Sequence, residues 1–203
     1  MKLYYSATSP YVRKVHVIAR EAGVADRIEL APTVANALQP NVELAKDNPL
    51  MKLPTLVTDD GIALFDSPII SQYLVSLPGG AKLLPASGPA RWRAMRLEAL
   101  GDGITDAGML SRGETATRPE DKRWSAMAEG QLTKVRQGLD MVERNAGELD
   151  EPVNIGQISL ACGIGWLEFR AVGGDLRAGR PRLFAWYDRF AARPSMAATA
   201  PKG

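Results

Sequence analysis

The run from Leu77-Pro78-Gly79-Gly80 to Ser87-Gly88-Pro89 divides the chain into two regimes. Proline lacks a backbone donor and glycine loses the most freedom on ordering, so a stretch rich in both reads as a linker. Before it, short apolar runs mix with helical segments. After it, the chain reads as helix after helix. The expected organisation is a first domain at 1–78, a linker at 79–88 and an all-helical domain at 89–203. The length of 203 residues accommodates two small domains.

In the first part, Lys2 to Tyr5 is a strand. Pro10 suits the first position of a helix, where a backbone N–H has no partner to lose. Val12, Val15, Ala19 and Ala22 give that helix an apolar face, and Gly23 is its natural stop. Ile28 to Ala31 is a second strand. Thr55 to Thr58, the turn Asp59-Asp60-Gly61 and Ile62 to Phe65 form a hairpin. Ser67-Pro68 opens a helix that buries Ile69, Ile70, Tyr73, Leu74 and Leu77. A β-α-β unit, a loop with room for a short helix and a β-β-α unit make a thioredoxin-like plan, so the fold class is α/β plus all-α. In the second part, helices are expected over Ala90–Arg112, Glu120–Ala146, from Asn154 onward and over Leu183–Ala192, the last stopped near Pro194. Asn154 and Gln157 stand at the two positions of a capping box, with Val153 and Ile158 placed to staple it.

Composition excludes several chemistries. A net charge of +2 favours neither nucleic acid nor a membrane surface. The single cysteine, Cys162, forbids an internal disulfide, and with one histidine, His16, no zinc site of the cysteine-rich types can form. No metal is expected. Met1-Lys2-Leu3-Tyr4-Tyr5 carries no signal peptide and no apolar run spans a bilayer, so a cytoplasmic location is expected.

Four local features carry chemistry. Ser9, before Pro10, puts a hydroxyl at a helix N-terminus, where unpaired N–H groups stabilise an anion such as a thiolate. Its plainer reading is an N-cap. Leu53-Pro54-Thr55 precedes a strand, and a cis bond there would aim the Leu53 backbone at a ligand. Asp66-Ser67 offers a carboxylate for an ammonium group, and a hydroxyl with helix N–H groups for a carboxylate; the plainer reading is a capping pair. Lys52 could meet a second carboxylate, or be a solvated surface lysine. Tyr5 is a second candidate near Ser9, or a core aromatic of its strand. His16 and Cys162 read as packing residues, and Trp92, Trp124, Trp166 and Trp186 as helical, mostly core or interface.

In this order the features resemble those of bacterial glutathione S-transferases. The resemblance is carried by Ser9-Pro10-Tyr11-Val12-Arg13-Lys14-Val15, by Asn48-Pro49 leading to Lys52-Leu53-Pro54-Thr55-Leu56, and by Asp66-Ser67 followed by Ile70 and Tyr73-Leu74. Trp186-Tyr187-Asp188-Arg189-Phe190, Arg193-Pro194-Ser195 and the closing Ala200-Pro201 extend it over essentially the whole chain. Two positions depart from the family: Met51 stands where glycine is frequent, and Asn154 with Gln157 stand where Ser or Thr with Asp is usual.

The resemblance implies a homodimeric glutathione transferase of detoxification type. Ser9, with Tyr5 in reserve, would address the sulfur. Leu53 would pair its backbone with the cysteinyl part of glutathione, ahead of Pro54. Asp66 and Ser67 would hold the γ-glutamyl end, and Lys52 a carboxylate. The partners implied are glutathione, as co-substrate, and a small electrophile whose pocket would draw on Ile104, Met109, Leu110 and Trp166. A non-catalytic glutathione-binding or interaction module with the same fold is the alternative. Thiol transfer or peroxide reduction is another, though it usually needs cysteine where Ser9 stands.

Overall fold

The computed structural model describes residues 1–36 and 38–201. Its strands are β1 (Lys2–Tyr5), β2 (Glu29–Pro32), β3 (Thr55–Val57) and β4 (Ala63–Leu64). They form one four-stranded sheet in the order β2-β1-β3-β4. β1 runs parallel to β2 and antiparallel to β3, and β4 is antiparallel to β3. The helices are α1 (Pro10–Glu21), α2 (Val42–Asp47), α3 (Ser67–Ser76), α4 (Gly88–Arg112), α5 (Ser125–Arg144), α6 (Ile155–Phe169), α7 (Pro181–Ala191) and α8 (Pro194–Ala197). The expected thioredoxin-like sheet and helical bundle are both present.

Alternation along β1 sorts its side chains between two helices. Lys2 and Tyr4 turn to α2, where both bond Asp47, at 3.3 and 2.6 Å. Leu3 and Tyr5 turn to the other face, where Leu3 is fully buried and Tyr5 meets the edge of His16 on α1. Gly23 ends α1 at φ +74°, a left-handed position that suits glycine.

The helical part packs around α4 and α6. Gly101 and Gly156 let these helices touch backbone to backbone: a Cβ on Gly101 would lie 2.6 Å from Leu160 N, and one on Gly156 2.4 Å from Ala94 O. The sheet part and the helical part share one continuous apolar core across the α1–α6 contact.

Some expectations fail locally. Ile69 is not buried; it is 48% exposed, because α3 turns Ile70 and Leu74 inward and leaves the neighbouring stripe open. The second long helix begins at Ser125 rather than Glu120, the preceding residues forming a 3₁₀ turn at Glu120–Lys122. Pro194 does not merely stop α7 but opens α8, taking the position where its missing N–H is harmless. The capping box at α6 is half-formed. Asn154 Oδ1 accepts from Gly156 and Gln157 N–H, while the Gln157 amide donates to Leu149 and Glu151 carbonyls instead of reaching back. Of the tryptophans, Trp166 and Trp186 are buried, whereas Trp92 and Trp124 are exposed.

Candidate functional site

Strand register brings the predicted segments to one end of the sheet. Tyr4 lies opposite Thr55, so β1 ends where β3 begins. Leu56 lies opposite Leu64, so β4 ends there too. The residues just beyond these strand ends are Ser9, Leu53-Pro54 and Asp66-Ser67.

Ser9 is the N-cap of α1, and its Oγ accepts from Val12 N–H at 3.3 Å. Capping consumes only a lone pair, so the hydroxyl proton remains free to donate to a ligand. Tyr5 is half-buried on the face toward α1. Its hydroxyl has no hydrogen-bond partner among the described residues, so it too retains a donor.

Leu53-Pro54 is cis. Neither the N–H nor the C=O of Leu53 has a backbone partner among the described residues. The preceding loop is tied around Asn48, which is fully buried. Its side-chain amide donates to Lys52 O at 3.2 Å and Thr55 Oγ1 at 2.9 Å, while its Oδ1 accepts from Leu50 N–H at 3.0 Å. Met51, in this loop, holds φ +51°, the left-handed conformation that glycine adopts freely. That geometry accounts for glycine being frequent there in the resembling family. Lys52 is exposed, and its side chain makes no ion pair among the described residues.

Asp66 occupies the N-cap position of α3, yet its side chain makes no capping bond. The capping reading therefore fails for Asp66, whose carboxylate is exposed and uncommitted. Ser67 is buried, and its hydroxyl has no partner among the described residues; its carbonyl accepts from the Ser71 hydroxyl at 2.8 Å. A hydroxyl at the start of a helix, with unpaired N–H groups beside it, suits a carboxylate.

The residues named for the second pocket separate. Ile104 is buried against α5, where a Cβ on Gly138 would meet its side chain at 2.6 Å. Trp166 is buried beside Gly108. Both belong to the packed apolar core. Leu110 is 52% exposed, and Met109 is half-buried against the core. These two follow Asp106 by about one helical turn, on the side of α4 that α1 approaches.

Sequence reasoning missed the polar contacts between α1 and α4. Tyr11 donates its hydroxyl proton to Asp106. Lys14 is fully buried and bonds Glu98 at 3.3 Å and Asp102 at 2.7 Å. Ser159 on α6 completes the cluster by donating to Asp102 at 2.7 Å. Burial pushes the Glu98 carboxyl above its ordinary range, against the opposing pull of Lys14. Burial, then the hydrogen bond to Asp106, pushes the Tyr11 phenol far above its usual range. The available signal was Asp102 and Asp106 one turn apart on one helix, with Tyr11 in the first turn of another. Nothing in the sequence marks Lys14 as buried. Among the described residues, no group of three or more His, Cys, Asp or Glu is placed to hold a metal ion.

Comparison with known proteins adds an independent line. Residues 8–77 match the family model for the glutathione S-transferase N-terminal domain, and residues 115–189 that for its C-terminal domain. An uncharacterised GST-like protein of Escherichia coli K12, YibF, is 36% identical over 99% of this chain and 98% of its own length. A glutathione transferase family member from Pseudomonas fluorescens Pf-5, solved with bound glutathione, is 41% identical with a TM-score of 0.96, covering 100% of this chain and 99% of that one. The same source yields a structure with bound S-(propanoic acid)-glutathione, at 40% identity and a TM-score of 0.92, with full coverage of both chains. A glutathione S-transferase from Methylobacillus flagellatus KT with glutathione bound is 36% identical with a TM-score of 0.87, over 99% of each chain.

Proposed function

Because the chain belongs to the glutathione S-transferase family, we propose that it binds glutathione at the end of the sheet where Ser9, Leu53 and Ser67 converge, and activates the thiol for attack on a small, hydrophobic electrophile. The observation that carries this reading is the set of uncommitted polar groups at that end: the Ser9 proton, the Leu53 peptide, the Ser67 hydroxyl and the Asp66 carboxylate. They match glutathione in order. Ser67 and the α3 N-terminus take the γ-glutamyl carboxylate, Asp66 faces its ammonium, and the Leu53 peptide pairs with the cysteinyl backbone. Lys52 meets the glycyl carboxylate. The glutathione bound in the Pseudomonas and Methylobacillus relatives supports the ligand, and the thioether S-(propanoic acid)-glutathione in one of them supports room for a substituent on sulfur.

A free thiol has a pKa of about 8.5, so only a few per cent is thiolate at neutral pH. Lowering it by about two units requires roughly 2.7 kcal/mol of preference for the anion. A hydroxyl donor at a helix N-terminus supplies an effect of that order. The thiolate then attacks the electrophilic carbon, and a leaving group departs or an adjacent π bond takes up the electron pair. The proposal includes a cytoplasmic homodimer, with the α3 helix bearing Tyr73 set against the partner's α4, and the division of the chain at 79–88.

Replacing Ser67 with Ala should weaken glutathione binding about tenfold, the cost of one charge-assisted hydrogen bond at roughly 1–2 kcal/mol. Calorimetric titration measures it, and an unchanged affinity would remove Ser67 from the site. Turnover with a panel of electrophiles then separates a transferase from a module that only binds glutathione.

A further inference from the structure

The hydrogen bond from Tyr11 to Asp106 gives the surface beside Ser9 a chemical polarity. Tyr11 stands two residues beyond Ser9 in the first turn of α1, and Asp106 is on α4, so the pair crosses between the two parts of the molecule. The phenol is the donor in this bond, so its proton points at Asp106. What Tyr11 has left to offer is lone pairs. Asp106 is exposed and makes no ion pair among the described residues, so its remaining lone pairs are also open.

Among the described residues, no cation bonds Tyr11 or Asp106. Lys14, the cation in contact with this stretch of α4, is already shared by Glu98 and Asp102. Asp66, at the start of α3, adds a weaker negative field at the phenol. Burial and these carboxylates keep the proton on Tyr11, so the phenol does not ionise to change the pattern. Leu110, one turn beyond Asp106, continues the same side of α4 as exposed apolar surface.

We infer that Tyr11 and Asp106 determine specificity for the second substrate, selecting electrophiles that carry a hydrogen-bond donor or a positive charge near the reacting carbon and rejecting those with a carboxylate there. This rests on the proposed glutathione site, since only a sulfur held beside Ser9 brings the second substrate to Tyr11 and Asp106. An amide N–H presented to Tyr11 Oη and Asp106 finds acceptors already in place. A carboxylate finds acceptors only, together with like charge.

The test uses two glutathione thioethers that differ at one group: the S-(propanoic acid) conjugate and its S-(propanamide) counterpart. They correspond to addition of the thiolate to acrylate and to acrylamide. In each, an S–C bond forms at the β-carbon, the π pair moves to the α-carbon, and a proton from water completes the product. Calorimetry on the wild-type protein should show the amide conjugate binding about tenfold tighter than the acid, a ratio set by one like-charge contact at the edge of solvent. In Asp106→Asn the preference should shrink to about twofold, chiefly through tighter binding of the acid. Tyr11→Phe, which removes the lone pairs but keeps the ring, should lower affinity for the amide conjugate. Equal affinities in the wild type, or a ratio untouched by Asp106→Asn in a variant with normal melting, overturn the inference while glutathione binding leaves the site itself standing. Failure of glutathione itself to bind overturns both.

Discussion

Ser9 serves two readings at once, because accepting the Val12 N–H leaves its own proton to give. Ser9→Ala should therefore keep the fold and raise the pKa of the bound thiol by about one to two units, at ~1.36 kcal/mol per unit. The rate at neutral pH should fall roughly tenfold and recover in part at alkaline pH, where hydroxide supplies the thiolate. Tyr5→Phe is the control, and pH–rate profiles of both variants decide the role. A thiol pKa that moves with Tyr5→Phe and not with Ser9→Ala would reverse the assignment. Ser9, Leu53 and Asp66-Ser67 were legible in the sequence because each sits beside a residue that punctuates structure: Pro10, Pro54 and Pro68. Asn48 and Lys14 were not. An asparagine before proline is usually a turn, and a lysine in a helix is usually solvated; only the packed structure turns the one into the tie of the Leu53 loop and the other into a buried cation.

At the scale of elements, the sequence reading placed β1, α1, α3 and α4 within a residue or two; in the three helices, proline stands in the first turn and glycine follows the end. It erred where no such signal exists. The start of α5 moved from Glu120 to Ser125, and α3 presented Ile69 to solvent because apolar residues on adjacent stripes cannot be ranked by periodicity alone. The α4–α6 contact was also invisible, since glycine inside a helix reads as a weakness. Here it is a requirement. Gly101→Ala would force a methyl to within 2.6 Å of Leu160 N and 2.7 Å of Ser159 Oγ, and backbone cannot move aside cheaply. We expect a loss of about 2 kcal/mol and a fall in melting temperature of about 4–8 °C. A melting temperature equal to wild type would mean that the helices slide apart without cost.

Across the whole molecule, α1 is the hub. Its first turn reaches α4 through Tyr11, its middle through Lys14, and Arg13 donates to Met196 O on α8 at 3.1 Å. Its last residue, Glu21, takes a two-pronged bond from Arg193 at 3.1 and 3.0 Å and another from Ser195 at 2.5 Å. Burial pushes the Glu21 carboxyl upward, but the bonds from Arg193 and Ser195 outweigh it and hold the group below its ordinary range. A depressed carboxylate stabilises the fold above its unfolded pKa of about 4.3, and that contribution disappears as pH falls through the lower folded value. Glu21→Gln should thus cost about 2 kcal/mol at pH 7 and less as the pH is lowered, by urea unfolding at pH 7 and at pH 3. An equal penalty at both would show that the side chain acts by shape rather than charge.

The buried Lys14 also constrains how such a chain can be inherited. Its charge lies on the first half of the sequence, and the carboxylates that make its burial tolerable, Glu98 and Asp102, lie on the second. A recombination event within Pro78-Gly79-Gly80 would look harmless, since it cuts no strand and no helix. Yet it would match a buried ammonium from one parent with whatever the other parent carries on α4, and an unpaired buried charge costs about 3–5 kcal/mol, a large share of the stability of a chain this size. The two halves are therefore not interchangeable cassettes: descent that reshuffles them must carry Lys14 and its two acids together or lose all three.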